Sequence, residues 1–152
     1  MSPSPVRIMS DTSRVYVTGV DDAGRSCIVS SDPPTFASAG PMSTASLYTT
    51  TTSPPPPRPP SDAMRIDLQL APGISTWMMV DYPAGAEAPI HHTDSIDFDL
   101  VVAGSIEVIL DDGPHRLEAG DAVVVTGVDH GLRAGPEGCQ LAVLCIGTVP
   151  VD

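Results

Sequence analysis

The chain contains no lysine, and this absence limits the partners that it can have. Its seven basic residues are all arginines, against 19 acidic residues, so the formal net charge is −12. Without a basic patch, we expect neither a nucleic-acid partner nor an anionic membrane partner. Sites that depend on a lysine, such as a Schiff base or a phosphate-binding P-loop, are excluded by the same absence.

Cysteines and long apolar runs are also scarce. The three cysteines show no zinc-type spacing, and their odd number leaves no complete pairing scheme. We therefore interpret Cys27, Cys139 and Cys145 as reduced structural residues of a cytoplasmic protein, with a catalytic thiol as the alternative. No run is long and apolar enough to cross a membrane, and the first residues lack the apolar core of a secretory signal.

The length of 152 residues predicts a single domain, within which the composition changes along the chain. Two β-prone runs around an Asp/Gly turn predict a hairpin within residues 14–30. Residues 32–62 are rich in Pro, Ser and Thr, which indicates an arm that wraps the domain or a partner subunit. A ligand for a proline-recognising domain is the alternative interpretation of this arm. We assign hairpin and arm to residues 1–63, packed on a barrel formed by residues 64–152.

From residue 64 onward the pattern is typical of β-structure. Apolar residues alternate clearly over residues 65–70, and turn signals recur every ten residues or so. No segment shows a sustained helical period. The pattern predicts an all-β sandwich or barrel.

Histidines and aspartates are concentrated between residues 85 and 104. Because side chains alternate along a strand, His91, Thr93 and Asp97 are expected to share one inner face. His92 is then expected to point outward. This grouping could form either a metal site or an acid/base site.

The same segment resembles the first of two motifs of the cupin family, whose members are jelly-roll barrels. That motif consists of Gly, two His, Glu and a final Gly. The corresponding residues here are Gly85, His91, Thr93, Asp97 and Gly104. Thr93 therefore takes the place of the second His, and Asp97 takes the place of Glu.

The second cupin motif is matched further along the chain. It begins with Gly120 and Asp121 and reaches His130, and Ala134 stands where the family usually has Asn. The order of hairpin, proline-rich arm and barrel is similar to that of a small subgroup of single-domain cupins. The resemblance implies an all-β cupin double-stranded β-helix (jelly-roll barrel) with an N-terminal hairpin and a proline-rich arm.

The resemblance implies a catalytic or metal site made of His91, Asp97 and His130. Two imidazoles and one carboxylate suit a divalent metal such as Zn, Mn, Fe or Ni, with positions left open for water or substrate. Without a metal, a buried aspartate between two imidazoles could remove a proton next to a carbonyl and return it elsewhere. Both alternatives, and a pocket without catalysis, stay open at this point.

Further residues are expected to line the substrate pocket around this site. Strand parity places Leu132 and Ala134 inward after His130, and Asp99 could supply a second carboxylate. The other candidates for the pocket wall are Thr93, Trp77 and Phe98. For Trp77, the barrel core or a dimer interface is the more ordinary interpretation.

The predicted function is that of a small-molecule enzyme. Cupins include dioxygenases, isomerases, lyases, cyclases and binding proteins, so the fold alone selects none of them. We favour lyase, isomerase or cyclase chemistry on a carbonyl-containing metabolite, with or without a divalent metal, in secondary or catabolic metabolism. The alternatives are an Fe(II)-dependent dioxygenase and a non-catalytic ligand-binding cupin. The resemblance also implies a homodimer.

Overall fold

A computed structural model describes residues 6–151, and the chain forms strands but no helix within this range. The strands are β1 (Val15–Val20), β2 (Ser26–Asp32), β3 (Ala37–Ala39), β4 (Met42–Thr44), β5 (Met64–Arg65), β6 (Ser75–Tyr82), β7 (Glu87–His92), β8 (Ser95–Leu110), β9 (Gly113–Glu118), β10 (Ala122–Val125) and β11 (His130–Gly147). The prediction of an all-β fold is confirmed. Nothing in this range is a helix long and apolar enough to span a membrane.

Nine of these strands form one curled sheet, and two long strands organise it. The main path runs β2-β1-β10-β8-β11-β7-β5, while β6 pairs with β11 and β9 pairs with β8. β8 pairs with β11 along most of its length. Its first half also pairs with β10, and its second half pairs with β9. The predicted N-terminal hairpin is confirmed as β1 and β2, and β1 joins the sheet by parallel pairing with β10.

The long strands bend at a pair of glycines. Gly104 has a φ of 74°, in the left-handed region that favours glycine. A Cβ at this position would collide with the backbone carbonyl of Gly138 on the neighbouring strand. The register between β8 and β11 shifts next to this contact, between Ala134 and Cys139. This local irregularity lets one strand continue from one part of the curled sheet into the next.

The alternating segment at residues 65–70 forms a strand only at its start, so this prediction was wrong for most of its length. The backbone turns at Gln69, which has a φ of 58°. The N–H of Gln69 donates to Oδ1 of Asp67 at 2.8 Å, so a nearby side chain takes the place of a strand partner. Ile66 and Leu68 nevertheless face the same interior cavity, as their alternation predicts.

The last residues of the arm and the first of the barrel, residues 58–65, form a segment that we call the strap. The Arg58 side chain is only 5% exposed. Its Nε donates to Oδ1 of Asp94 at 2.9 Å, and its Nη2 donates to the carbonyl of Val151 at 2.8 Å. Arg65 Nε donates to the other oxygen of Asp94 at 2.7 Å. Asp94 lies in the turn between β7 and β8, so the strap is bound directly beside the His-rich segment.

The two guanidinium groups keep Asp94 ionised. Burial alone would raise the pKa of this carboxyl. The hydrogen bonds and charges of Arg65 and Arg58 outweigh burial and hold its pKa below the usual value. The strap is thus held by a charged cluster that is partly removed from water.

A second contact joins the strap to the barrel at His92. Ser61 Oγ donates to Oδ1 of Asp129 at 2.6 Å. Nδ1 of His92 lies 3.1 Å from the same oxygen. His92 does not line the interior cavity, as predicted from its parity, but it is only 2% exposed beneath the strap. The outward direction predicted for His92 is therefore confirmed, and the strap covers the face on which it lies.

Strand β6 has one unpaired edge among the described residues and an apolar outer face. It pairs with β11 alone, and its Trp77 and Met79 side chains are exposed. An open strand edge with apolar neighbours is a natural place for a second copy of the chain. The predicted homodimer is compatible with this edge and stays a prediction.

The strap contact predicts unequal stability effects for two charge removals. We expect Asp94→Asn to lower the free energy of unfolding by about 3 kcal/mol, because it leaves the buried Arg58 without its counter-ion. Glu118→Gln removes an exposed partner of Arg116 and should cost less than about 1 kcal/mol. Urea unfolding measures both, and equal small losses would contradict the role assigned to Asp94.

Candidate functional site

The interior of the barrel contains a cavity of about 210 Å³ that is open to the surface. Its polar lining consists of His91, Thr93, Asp97, Asp99, His130 and Tyr82. Its remaining lining consists of Ile66, Leu68, Met78, Val80, Ala88, Leu132, Leu141, Val143 and Cys145. A few polar groups in a mostly apolar cavity are typical of a small-molecule site.

Two histidines face each other across neighbouring strands of this cavity. His91 on β7 pairs with His130 on β11, and their ring centroids lie 4.4 Å apart at an interplanar angle of 52°. The Nδ1 atoms lie 2.7 Å from the carbonyl of Pro89 and 2.9 Å from that of Val128, respectively. Because a carbonyl only accepts, each Nδ1 carries the hydrogen. In the neutral rings, Nε2 is left as the acceptor.

The His130 ring is neutral at neutral pH. Burial, followed by the neighbouring His91, lowers the pKa of His130 from 6.5 to about 4. Its Nε2 atom is therefore unprotonated near pH 7 and can accept a proton directly. A base of this kind accepts a proton and holds it only weakly.

A row of hydroxyl and carboxyl groups runs along the start of β8. Ser95 Oγ donates to Oδ1 of Asp97 at 2.6 Å. Since the Ser95 hydroxyl has one hydrogen, the Thr93 hydroxyl must be the donor in its 2.7 Å contact with Ser95 Oγ. Burial raises the pKa of Asp97, while Ser95, Cys145 and His91 act in the opposite direction. Asp97 and His91 are thus close enough to interact electrostatically.

Asp99 continues this row deeper among apolar groups. Burial raises the pKa of Asp99 well above its usual value, and the charge of Asp97 raises it further. Its Oδ1 atom has no hydrogen-bond partner in the protein. The two carboxyl groups therefore have different surroundings, although they lie two residues apart on one strand face.

The structure brings together six of the predicted site residues. These are His91, Thr93, Asp97, Asp99, His130 and Leu132, all of which line the same cavity. Their spacing on β7, β8 and β11 follows the strand parity that predicted them. Their chemical roles stay predictions.

Three predicted wall residues do not line the cavity. Trp77 lies on the outer face of β6 and is 82% exposed. Phe98 has the opposite parity to Asp97 and packs against Tyr48 of the arm, with a ring-centroid distance of 5.7 Å. Ala134 is buried opposite Ile106, next to the register shift of β11.

Other wall residues were not anticipated from the sequence. Met78, Val80 and Tyr82 supply the inner face of β6, and Cys145 lies opposite Asp97 on β11. Strand alternation alone would have selected either this set or Trp77 and its neighbours. The side that faces inward is set by pairing with β11, which the sequence of β6 does not reveal.

The donors present do not complete the predicted metal site. Within residues 6–151, no three His, Cys, Asp or Glu side chains are arranged to hold a metal ion. His91 and His130 do have the backbone contacts typical of ligating histidines. A third donor is lacking in this part of the chain, because Asp97 is bound to Ser95 and Thr93 stands where the family has its second His. The prediction of a three-ligand metal site is therefore not supported by the geometry.

Comparison with known families identifies the barrel. Residues 78–147 match the family model Cupin_2, described as a Cupin domain. This segment, a little under half of the chain, is therefore a domain of the cupin superfamily. The resemblance expected from the two motifs is confirmed.

Curated relatives include proteins of fungal biosynthesis clusters. Phomopsin biosynthesis cluster protein C' of Diaporthe leptostromiformis is 42% identical over 60 residues, which are 39% of this chain and 32% of that protein. Cupin-domain-containing oxidoreductase srdD of Neurospora crassa is 38% identical over 53 residues, or 34% of this chain and 27% of that protein. Oryzines biosynthesis cluster protein J of Aspergillus oryzae is 35% identical over 74 residues, which are 48% of this chain and 41% of that protein. The match thus spans about a third of the first relative's length.

Solved structures with a similar fold overlap with about half of the chain. An RmlC-like cupin from Shewanella frigidimarina has 28% identity and a TM-score of 0.44, over 49% of this chain and 67% of that chain. The polyketide cyclase RemF from Streptomyces resistomycificus has 19% identity and a TM-score of 0.43, over 51% of this chain and 62% of that chain.

The buried His130 predicts a pH dependence of stability. Folded His130 titrates near pH 4, whereas an unfolded histidine titrates near 6.5. The unfolded state therefore binds more protons in this window, and stability falls as the pH drops from 6.5 to 4. The linked change is about 3 kcal/mol.

We expect His130→Gln to remove the pH-dependent part of the stability that is linked to His130. The stability difference between wild type and variant should shrink as the pH is lowered from 7 to 4.5, as measured by urea unfolding at each pH. His115→Gln, at an exposed site paired with Asp112, is the control. A wild-type advantage that stays constant over this range would contradict a buried neutral His130.

Proposed function

We propose that this cupin is a small-molecule enzyme that transfers a proton next to a carbonyl group, as lyases, isomerases and cyclases do. One observation carries the proposal. The Nδ1 atoms of His91 and His130 are bound to backbone carbonyls, so both rings keep Nε2 as a proton acceptor in a cavity that also contains Asp97. This arrangement combines two bases and a carboxyl group in a mostly apolar cavity.

In this mechanism, His130 is the base. Its neutral ring takes a proton from the carbon beside the carbonyl, and its lowered pKa favours return of that proton to another atom of the substrate. His91 is the second proton carrier, and it lies close enough to Asp97 to interact with its charge. Ser95 orients Asp97 by its 2.6 Å hydrogen bond.

The cavity also limits the kind of substrate. Its volume of about 210 Å³ is below the roughly 300–1,000 Å³ of pockets for drug-sized ligands. Neither arginine nor lysine lines it, so an anionic group would find no counter-charge there. We therefore propose a small, uncharged and partly apolar carbonyl compound. The relatives named for fungal biosynthesis clusters support a place in secondary metabolism.

The proposal is tested by hydrogen exchange on a simple ketone. Wild-type protein should accelerate the replacement of the α-hydrogens of cyclohexanone by deuterium in D₂O, followed by proton NMR. We expect His91→Ala and His130→Ala to lower the enzyme-dependent rate at least about 100-fold, the usual contribution of a general acid or base. His115→Ala, which lies outside the cavity, should leave it unchanged.

The rate should stay level from pH 7 down to about 5 and fall as His130 becomes protonated near pH 4. Circular dichroism at each pH separates this loss from unfolding. Exchange that survives both histidine substitutions would contradict the proposed mechanism.

An Fe(II)-dependent dioxygenase is the second candidate, favoured by the name of the oxidoreductase relative. It requires a metal, but within residues 6–151 no three side chains of His, Cys, Asp or Glu are arranged to hold one. We expect equimolar Fe(II) or Zn(II) to raise the stability by less than about 1 kcal/mol, because two histidines give only weak binding. Thermal unfolding with and without EDTA measures this, and an oxygen electrode follows turnover. Strong metal stabilisation with oxygen uptake would favour the dioxygenase over proton transfer.

A further inference from the structure

The carboxyl group of Asp99 has a buried oxygen without a hydrogen-bond partner. Among residues 6–151, only two buried side-chain atoms have no hydrogen-bond partner in the protein, Oδ1 of Asp99 and Oγ1 of Thr148. Such atoms are rare in native proteins, because an unpaired buried polar group destabilises the fold. Asp99 lines the cavity and Thr148 does not. Asp99 is 9% exposed, so bulk water does not readily satisfy it.

The unpaired oxygen of Asp99 lies between apolar residues of the two neighbouring strands. Its cross-strand neighbours are Val123 on β10 and Val143 on β11. Asp97, two residues away, already accepts a hydrogen bond from Ser95. Asp99 thus differs from Asp97 in having a buried oxygen that no group of the protein satisfies.

We propose that Asp99 is a specificity-determining residue that hydrogen-bonds to a hydroxyl group of the ligand. A hydroxyl both donates and accepts, so it satisfies a carboxyl group in either protonation state. The inference rests on the proposed function only in using the same cavity, and it names the substrate class more closely.

The volume of the cavity sets the size of that ligand. An apolar cavity of about 150 Å³ is large enough to hold benzene. At about 210 Å³, this cavity has room for one six-membered ring with a small substituent. The ligand class is therefore an uncharged, single-ring or similarly small compound that carries a hydroxyl group.

Binding of phenol and toluene tests the inference without any catalysis. The two rings have similar size, and only phenol carries a hydroxyl. We expect wild-type protein to bind phenol about tenfold more tightly than toluene, the order of one hydrogen bond to an otherwise unpaired group. Benzoate, which brings a charge without a counter-charge in the wall, should not compete.

Methyl NMR locates the bound ring. Met78 lines the cavity and the adjacent Met79 is exposed on the outer face of β6. With methyl-labelled methionine, bound phenol should shift the Met78 resonance and leave the Met79 resonance in place. Shifts confined to Met79 would show surface binding and overturn the inference.

Three variants assign the preference to Asp99. Asp99→Asn keeps a donor and an acceptor and should retain the preference for phenol within about threefold. Asp99→Leu should abolish it, so that phenol and toluene bind alike. Thr148→Val removes the other unpaired buried atom, outside the cavity, and should change nothing.

The outcomes separate this inference from the proposed function. Equal binding of phenol and toluene by wild type, absence of binding in the cavity, or a preference that survives Asp99→Leu each overturns the role of Asp99. None of these results bears on ketone exchange by His91 and His130, which is measured separately. Conversely, loss of the exchange activity would leave a ligand preference set by Asp99 intact.

Discussion

The ion cluster around Asp94 is the contact on which the geometry of the site depends. Asp94 sits in the turn between β7, which ends in the site histidine segment, and β8, which begins the carboxyl row. Arg58 and Arg65 bind one oxygen each, at 2.9 Å and 2.7 Å. A buried charge is tolerated only when it is paired this closely, so the turn has little freedom to move. The turn that joins the histidine strand to the carboxyl strand is therefore held in place, while strand pairing sets the position of each side chain.

Burial then gives similar residue types different chemistry. His91 and His130 are each oriented by the carbonyl two residues earlier in the chain, and this decides which nitrogen of each ring accepts a proton. Asp97 and Asp99 share a strand face, yet one is bound by Ser95 and the other has an unpaired oxygen. The cavity therefore needs no unusual residue types. It uses position relative to backbone and solvent to distinguish two imidazoles and two carboxyl groups.

Much of the barrel and of the polar lining could be predicted from the sequence, because strand alternation is a local property. His91, Thr93, Asp97 and Asp99 all have odd numbers and all reach the cavity. Local alternation does not say which face of a strand points inward, and this is why Trp77 was misplaced. Alternation also gives no information about contacts between residues that are far apart in the chain. Nothing in the composition of the arm predicts that Arg58 pairs with a residue 36 positions away.

The strap and the residues that follow it contribute to the cavity, although they precede the segment that matches the cupin family. The family match starts at residue 78, but Ile66 and Leu68 form part of the cavity wall and Arg58 and Arg65 hold the turn beside it. The cavity of this chain is thus completed by residues that lie outside the matched cupin segment. Substitutions among these residues would reshape the cavity wall while leaving both histidines in place.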